Sequence, residues 1–404
     1  MNRLANSAGE PARHWLLDPE VLFLNHGSFG ACPAAVLDRQ QELRRLMERE
    51  PLVFLDREYY GRLDEARTAL AAFVGASPAN LAFVPNATAG VNAVVRSLRF
   101  RPGDELLVTD QAYNACKNAL HYVARRDGAT VVVAPLPFPV AGPAVVRDAV
   151  LAKVTGRTRL ALIDHITSPT AIILPVAELV AELGRRGVDT LVDGAHAPGM
   201  VPLALEALGA AYYTGNCHKW LCAPKGAAFL HVRADRQQDL HPLTISHGYN
   251  APVGDGERFQ VEFAWTGTFD PTPYLCVPEA IRFLERLAPG GWPEIMERNH
   301  RLAVAGRRIL TAALGIPAPC PEEMLGSMAA LPLPDSPEEI SPDFRRVPPL
   351  QEKLFARYGI EIPIIPWPAP PRRLIRLSAQ LYNTEEQYHR LAAAVGELLS
   401  AEAR

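Results

Sequence analysis

Through the middle of the chain, short and nearly continuous apolar runs alternate with stretches whose apolar positions recur at helical spacing. "DELLVTD" (104–110), "TVVVAPL" (130–136), "TRLALIDH" (158–165) and "DTLVDGAH" (189–196) are of the first kind, and all but the second end in polar residues. Residues 113–126 and 176–186 between them, and 35–50 and 58–74 before them, are of the second. Apolar runs separated by helices predict strands buried on both faces of a mainly parallel sheet. The expected fold is therefore α/β, with a doubly wound sheet. "NLAFVPNATAGVNAVVRSL" (80–98) predicts a strand, a turn and a helix that begins near Thr88. Ligands of such sheets gather at the carboxyl ends of the strands, where Asp110, Asp164 and Asp193 stand.

Near residue 270 the pattern changes. Helices are expected over 271–287, 294–315 and 384–402, with proline-rich strands and loops between the last two. This divides the chain into an arm (1–24) packed with a small domain, a large domain (25–270), and the small C-terminal α/β domain (271–404).

Composition sharpens the picture only in places. The 404 residues are 48% hydrophobic and 21% charged, with a formal charge of -3, which describes a soluble globular protein. Charge so near zero gives no reason to expect nucleic acid or an anionic membrane as the main partner. No signal-like or membrane-spanning apolar stretch is present. The six cysteines form no CxxC pair or disulfide framework, so a reducing cytoplasm is expected. The 37 prolines, many beyond residue 315, read as rigid loops of a folded domain. His241 and His247 lie close together without further evident ligands, so no metal site is expected. Walker A, HExxH, GxSxG and GxGxxG signatures are missing.

Three segments carry candidate chemistry. In "YYTGNCHKWLCAPKG" (212–226), Lys219 lies between His218 and Trp220 among small residues. A desolvated lysine becomes a nucleophile towards carbonyls; an ordinary one is a solvated surface charge. "PNATAG" (85–90) places a polar turn at a helix N-terminus, which suits a phosphate or, more plainly, only caps the helix. "LVDGAHAPG" (191–199) sets Asp193 and His196 at a strand end. There a carboxylate can hold a pyridinium nitrogen, or simply order its own Asp-Gly turn.

Phosphate turn, strand-end aspartate and then lysine is the order that resembles the class V aminotransferase family of fold-type I pyridoxal phosphate enzymes. "LNHGSFG" (24–30), "NATAGVN" (86–92), "GNCHKWLCAPKG" (215–226) and "YGIEIPI" (358–364) are most similar to its isopenicillin N epimerase-like branch. The resemblance runs from about residue 20 to the end. It implies Lys219 as the Schiff-base lysine, Asp193 as partner of the ring nitrogen, His196 close to the cofactor, and Tyr113 stacked on the ring. It implies Ala87, Thr88, Asn216 and His218 around the phosphate and Ser168 near the ring oxygen. It also implies Thr268, in "AWTGTFD", reaching a neighbouring subunit's phosphate in a homodimer. Arg376, in "LIRLSAQLYNT", matches the arginine that pairs with the amino acid carboxylate, a surface ion pair being the other reading. Asn25 and His26 are expected among the substrate contacts, with Tyr249 and the loop near Trp367.

Cysteine desulfurases of this family carry a thiol on a loop where this chain has "IPIIPWPAPPRR", so desulfuration by persulfide is not expected. The first functional expectation is an amino acid epimerase or racemase, with Lys219 as one base and Tyr113 as acid on the opposite face. A C–S β-lyase acting on a cysteine conjugate or sulfoxide is the alternative. Transamination ranks below both. A non-catalytic regulator ranks lower still, since Lys219, Asp193 and Arg376 are all present.

Overall fold

A computed structural model describes residues 10–404, except 342 and 344. Strand β1 (Leu22–Phe23) lies in the N-terminal stretch. The central sheet takes β2 (Leu81–Val84), β3 (Glu105–Thr109), β4 (Thr130–Ala134), β5 (Thr158–Asp164), β6 (Asp189–Asp193), β7 (Tyr212–Asn216) and β8 (Ala228–Val232). Towards the C-terminus follow β9 (Met328–Leu333), β10 (Ile360–Glu361), β11 (Ile364–Pro366) and β12 (Arg373–Ser378). The central order is β2-β8-β7-β6-β5-β3-β4, and only β8 runs against the rest.

Residues alternate strictly between the two faces of this sheet, as the period of an extended chain requires. Leu106, Val108, Leu160, Leu162 and Leu191 enter the core on one side. There they meet Val91, Val94 and Leu120, from helices Ala87–Ser97 and Asn114–Asp127. Leu107, Ala161, Ile163 and Val192 enter the core on the other side, with Val146 and Val150 of helix Pro143–Leu151 and Leu179 and Leu183 of helix Val176–Arg185. Each leucine, isoleucine or valine so buried stabilises the fold by about 1.5–3 kcal/mol relative to exposure.

Two sheet features depart from the sequence expectation. "TVVVAPL" forms the edge strand β4, and its Thr130 and Val133 are exposed instead of buried on both faces. An edge position leaves one side without a neighbour, and apolar composition alone does not distinguish it from a central one. The segments flanking Lys219, moreover, are the antiparallel strands β7 and β8. The lysine therefore sits in a connection pinned at both ends by the sheet.

The helix predicted near Thr88 spans Ala87–Ser97, capped by the Asn86 side chain, which accepts from the Ala89 N–H at 2.8 Å. The C-terminal segment builds the antiparallel sheet β11-β12-β9, backed by helices Gly291–Leu314 and Glu385–Glu402. The two ends of the chain meet where β1 pairs in parallel with β10. Trp15 packs edge-on against Tyr382 at the same junction. Among the described residues no helix is long and apolar enough to cross a membrane.

Candidate active site

The parallel strands place their carboxyl ends at one edge of the sheet, and a cavity of about 390 Å3 opens there. Asp193 enters it from β6 and Asp164 from β5. Ala87 and Thr88 reach it from the helix after β2, and Tyr113 from the turn after β3. Asn216, His218 and Lys219 reach it from the end of β7 and the connection beyond, with His196 and Ser168 completing the wall.

At the phosphate-like end, the first turn of helix Ala87–Ser97 leaves N–H groups without intrahelical acceptors. The Asn216 side chain takes that of Ala87 at 2.9 Å and Asn86 takes that of Ala89. Thr88 N–H has no protein acceptor among the described residues. Gly90 is required in this helix because a Cβ there would lie 2.3 Å from the Thr214 hydroxyl of β7. The helix can press on the sheet only without that atom. His218 donates from Nδ1 to the Ala227 carbonyl at 3.1 Å, and burial lowers its pKa to about 4. The ring is thus neutral, with Nε2 free to meet a ligand.

Lys219 contacts Nε2 of His196 through Nζ at 3.3 Å. Burial, with the Arg376 charge, lowers its pKa from 10.5 to about 7, while Asp193 pulls the other way. His196 is held well below its ordinary value by burial and by Lys219, so it is a neutral imidazole. Its Nδ1 is buried without a partner among the described residues.

Asp193 and Asp164 end neighbouring strands in register. Asp193 accepts from the Ala195 N–H at 3.0 Å and from the Cys116 thiol at 3.1 Å. Burial raises it, and those two donors with Lys219 offset part of the rise. Asp164 is pushed up further, by burial and by the Asp193 charge, and its Oδ2 is buried without a partner. Two carboxyls on paired strand ends do not both ionise readily, and burial with the Asp193 charge favours the protonated form of Asp164.

Arg376, on β12, closes the site from the opposite side. It is 3% exposed, so the surface ion-pair reading does not hold. Its Nη1 donates to the Ser168 carbonyl at 2.5 Å and to the Ser168 hydroxyl at 3.2 Å, and its Nη2 to Ser28 Oγ at 3.0 Å. Nε has no partner, and no carboxylate pairs with the guanidinium among the described residues. A buried cation in this state is suited to an anionic partner.

Beside it lies a second cavity of about 570 Å3, which shares Ser28, Tyr113 and Ser168 with the first and is lined also by Arg376 and Trp367.

Four expected residues lie elsewhere. His26 is fully buried and lines neither cavity. Its Nδ1 accepts from the Tyr382 hydroxyl at 2.8 Å, and its Nε2 donates to the Lys219 carbonyl at 3.1 Å. It therefore fixes the lysine backbone from behind instead of meeting substrate. Asn25 also lines neither cavity; its Oδ1 accepts from the Ser28 hydroxyl at 2.5 Å, so it orients the serine that meets Arg376. Thr268 is exposed and outside both cavities. Tyr249 is exposed and likewise lines neither.

Sequence reasoning missed Ser28 and Cys116, and it noted Asp164 only as a strand end. Cys116 stands three residues after Tyr113, one helical turn on, and that spacing was the available signal.

Residues 31–329 match the family described as aminotransferase class-V. An isopenicillin N epimerase of Streptomyces clavuligerus is 37% identical over 395 residues, covering 95% of this chain and 96% of that protein. A putative L-cysteine desulfhydrase 1 of Oryza sativa subsp. japonica is 36% identical, covering 94% of this chain and 83% of that one. Among solved structures, the cysteine desulfurase CsdA of Escherichia coli superposes with a TM-score of 0.77 at 20% identity, covering 98% of this chain and 99% of that chain. The residues in the cavity fit pyridoxal phosphate: a carboxylate for the ring nitrogen, a lysine of low pKa for the aldehyde, and an open helix N-terminus for the phosphate. The chain belongs to the class V aminotransferase family and is a pyridoxal phosphate enzyme of fold type I.

Proposed function

We propose that this enzyme exchanges the proton at Cα of an amino acid with inversion, as an epimerase or racemase. The observation that carries this reading is the placement of Lys219 and Tyr113 on opposite flanks of Asp193. Lys219 follows β7 and Tyr113 follows β3, and the ends of β6 and β5 lie between them. Inversion needs two groups that handle protons from opposite sides, and this sheet order supports the choice of Lys219 and Tyr113.

When bound, pyridoxal phosphate supplies an aldehyde that condenses with amines and a ring that accepts electrons from Cα. The chain supplies the rest. Arg376 binds and orients the substrate carboxylate. Lys219 Nζ is the group that would hold the cofactor aldehyde, and as a free amine it removes the Cα proton as a base. The Tyr113 hydroxyl, raised by burial above its ordinary value, keeps its proton at neutral pH and delivers it to Cα from the other side. Asp193 would keep the ring nitrogen protonated. Thr88, Asn216 and His218 would hold the phosphate.

The working form in this proposal is a homodimer, with Thr268 completing the neighbouring subunit's site. Phe29 supports it: this side chain lines the cavity yet is 74% exposed, an apolar surface that a second subunit would cover.

A second reading, C–S β-lyase, is favoured by the similarity to a cysteine desulfhydrase, since loss of the Cα proton also precedes expulsion of a β-sulfur. Desulfuration through a protein persulfide is not served, because all six cysteines are buried and none lines either cavity.

Proton NMR in heavy water, on holoenzyme given amino acids and S-substituted cysteines, tests the proposal. Deuterium at Cα of an intact amino acid, with loss of optical purity, supports the epimerase. Pyruvate formed only from the sulfur substrates replaces it with the lyase.

A further inference from the structure

The second cavity is larger than its neighbour, about 570 Å3 against about 390 Å3, and falls in the range that holds a drug-sized ligand. An amino acid whose carboxylate meets Arg376 at the junction would leave nearly all of it empty if its side chain were only that of alanine or cysteine. The far wall is apolar and rigid: Pro169, Pro363, Ile365, Pro366 and Trp367 line it. Trp367 is braced edge-on against Phe138 at 5.0 Å between ring centres.

The rest of the lining is mostly polar, with Asp110 and Asn114 in it, and includes a second cation besides Arg376. Lys117, half-buried, lines the cavity and donates from Nζ only to the Asp110 backbone carbonyl, at 3.2 Å. The Asp110 carboxylate is engaged elsewhere, accepting from the Leu136 N–H at 3.0 Å. No carboxylate lies within ion-pairing distance of Lys117 among the described residues. An ammonium that lines this cavity with a backbone carbonyl as its hydrogen-bond acceptor, and without an ion-pair partner among the described residues, is suited to an anionic partner.

We infer that the second cavity is the side-chain subsite, and that it takes an α-amino acid with a long, apolar side chain ending in a carboxylate that pairs with Lys117. The inference rests on the reading of Arg376 as the α-carboxylate site. It adds a determinant of specificity at a second point, so that the substrate is held at both ends. Placement of the far carboxylate then fixes how the Cα–H bond is presented between Lys219 and Tyr113.

The test compares straight-chain α-amino acids of equal length whose far ends are methyl, carboxylate or ammonium. Each is given to holoenzyme, with Cα deuterium exchange and calorimetric dissociation constants as readouts. The carboxylate series is expected to exceed the methyl series by about tenfold or more in kcat/KM and in affinity, with the ammonium series weakest. In Lys117→Gln the carboxylate-to-methyl ratio should fall to about one. In Trp367→Ala every long side chain should lose affinity relative to alanine. No preference for the far carboxylate, or a ratio that survives Lys117→Gln, overturns the inference. If no amino acid exchanges its Cα proton, the proposed reaction fails, while the binding ratios still decide the role of Lys117.

Discussion

The Cys116 thiol donates a hydrogen bond to Oδ2 of Asp193 at 3.1 Å, across the space between helix Asn114–Asp127 and strand β6. The bond favours the ionised carboxylate in a place where burial opposes ionisation. Removing a donor from a buried charged acceptor costs about 1–3 kcal/mol. Cys116→Ala is therefore expected to slow Cα exchange by roughly tenfold, and Cys116→Ser, which keeps a donor, to restore most of it. Equal loss in both variants would show that the thiol acts through packing.

Lys219 links cofactor chemistry to stability. Its pKa is about 7 in the folded chain against an ordinary 10.5. Between those values the unfolded chain holds a proton that the native one does not. This group's contribution to the stability of cofactor-free protein thus rises with pH across the window, and its penalty is fully present below it. Thermal unfolding of cofactor-free protein from pH 6 to 10 should show wild type gaining on Lys219→Met as pH rises. A constant difference between the two would refute the lowered pKa. The variant should also lack the visible absorbance of a lysine-bound cofactor.

Arg376→Met separates binding from folding. Loss of a buried carboxylate partner typically costs 2–5 kcal/mol, so KM is expected to rise by about 30-fold or more. The cofactor-free variant should nevertheless melt at or above the wild-type temperature, because the free protein carries this cation buried without a counter-charge. A sharp drop in melting temperature would make the arginine a structural element first.

Tyr113→Phe addresses stereochemistry. A general acid contributes about 100-fold or more, so inversion should fall by that factor. Exchange with retention, driven from the Lys219 side, should persist. A parallel loss of both would leave the tyrosine only as a stacking ring.

Gly30→Ala tests how tightly the N-terminal motif holds the lysine loop. Its φ is +70°, and an added Cβ would sit 2.1 Å from the His218 carbonyl and 2.9 Å from Lys219 Cα. Backbone strain and overpacking together predict a loss of about 2–4 kcal/mol, read by calorimetry, with a matching fall in cofactor content.

What could be read in the sequence was what local pattern encodes. Asp193 and Asp164 announced themselves by ending apolar runs, and Asn86 by preceding a helix. Lys219 stood out because its neighbours are small and apolar. The errors fall where tertiary approach decides. "LNHGSFG" stands out as a motif, but which of its side chains faces the cavity depends on a four-residue helix, His26–Phe29, that turns Ser28 inward and His26 back towards Tyr382. The bond from Cys116 to Asp193 joins residues 77 apart and leaves no local trace. Strand β8 was hidden because a reversed strand has the same composition as its parallel neighbours.

The connection that carries Lys219 is anchored at both ends in the central sheet, whereas half of the second cavity's lining comes from the two ends of the chain, Ser28 near the start and residues 363–376 near the finish. The reactive amine and the proline-rich part of the selective surface thus belong to separate parts of the chain. Insertions or substitutions in the proline-rich loop can reshape what the enzyme accepts without disturbing the hydrogen-bonded frame that makes it reactive. A lineage built this way can diversify its substrates while its chemistry stays fixed.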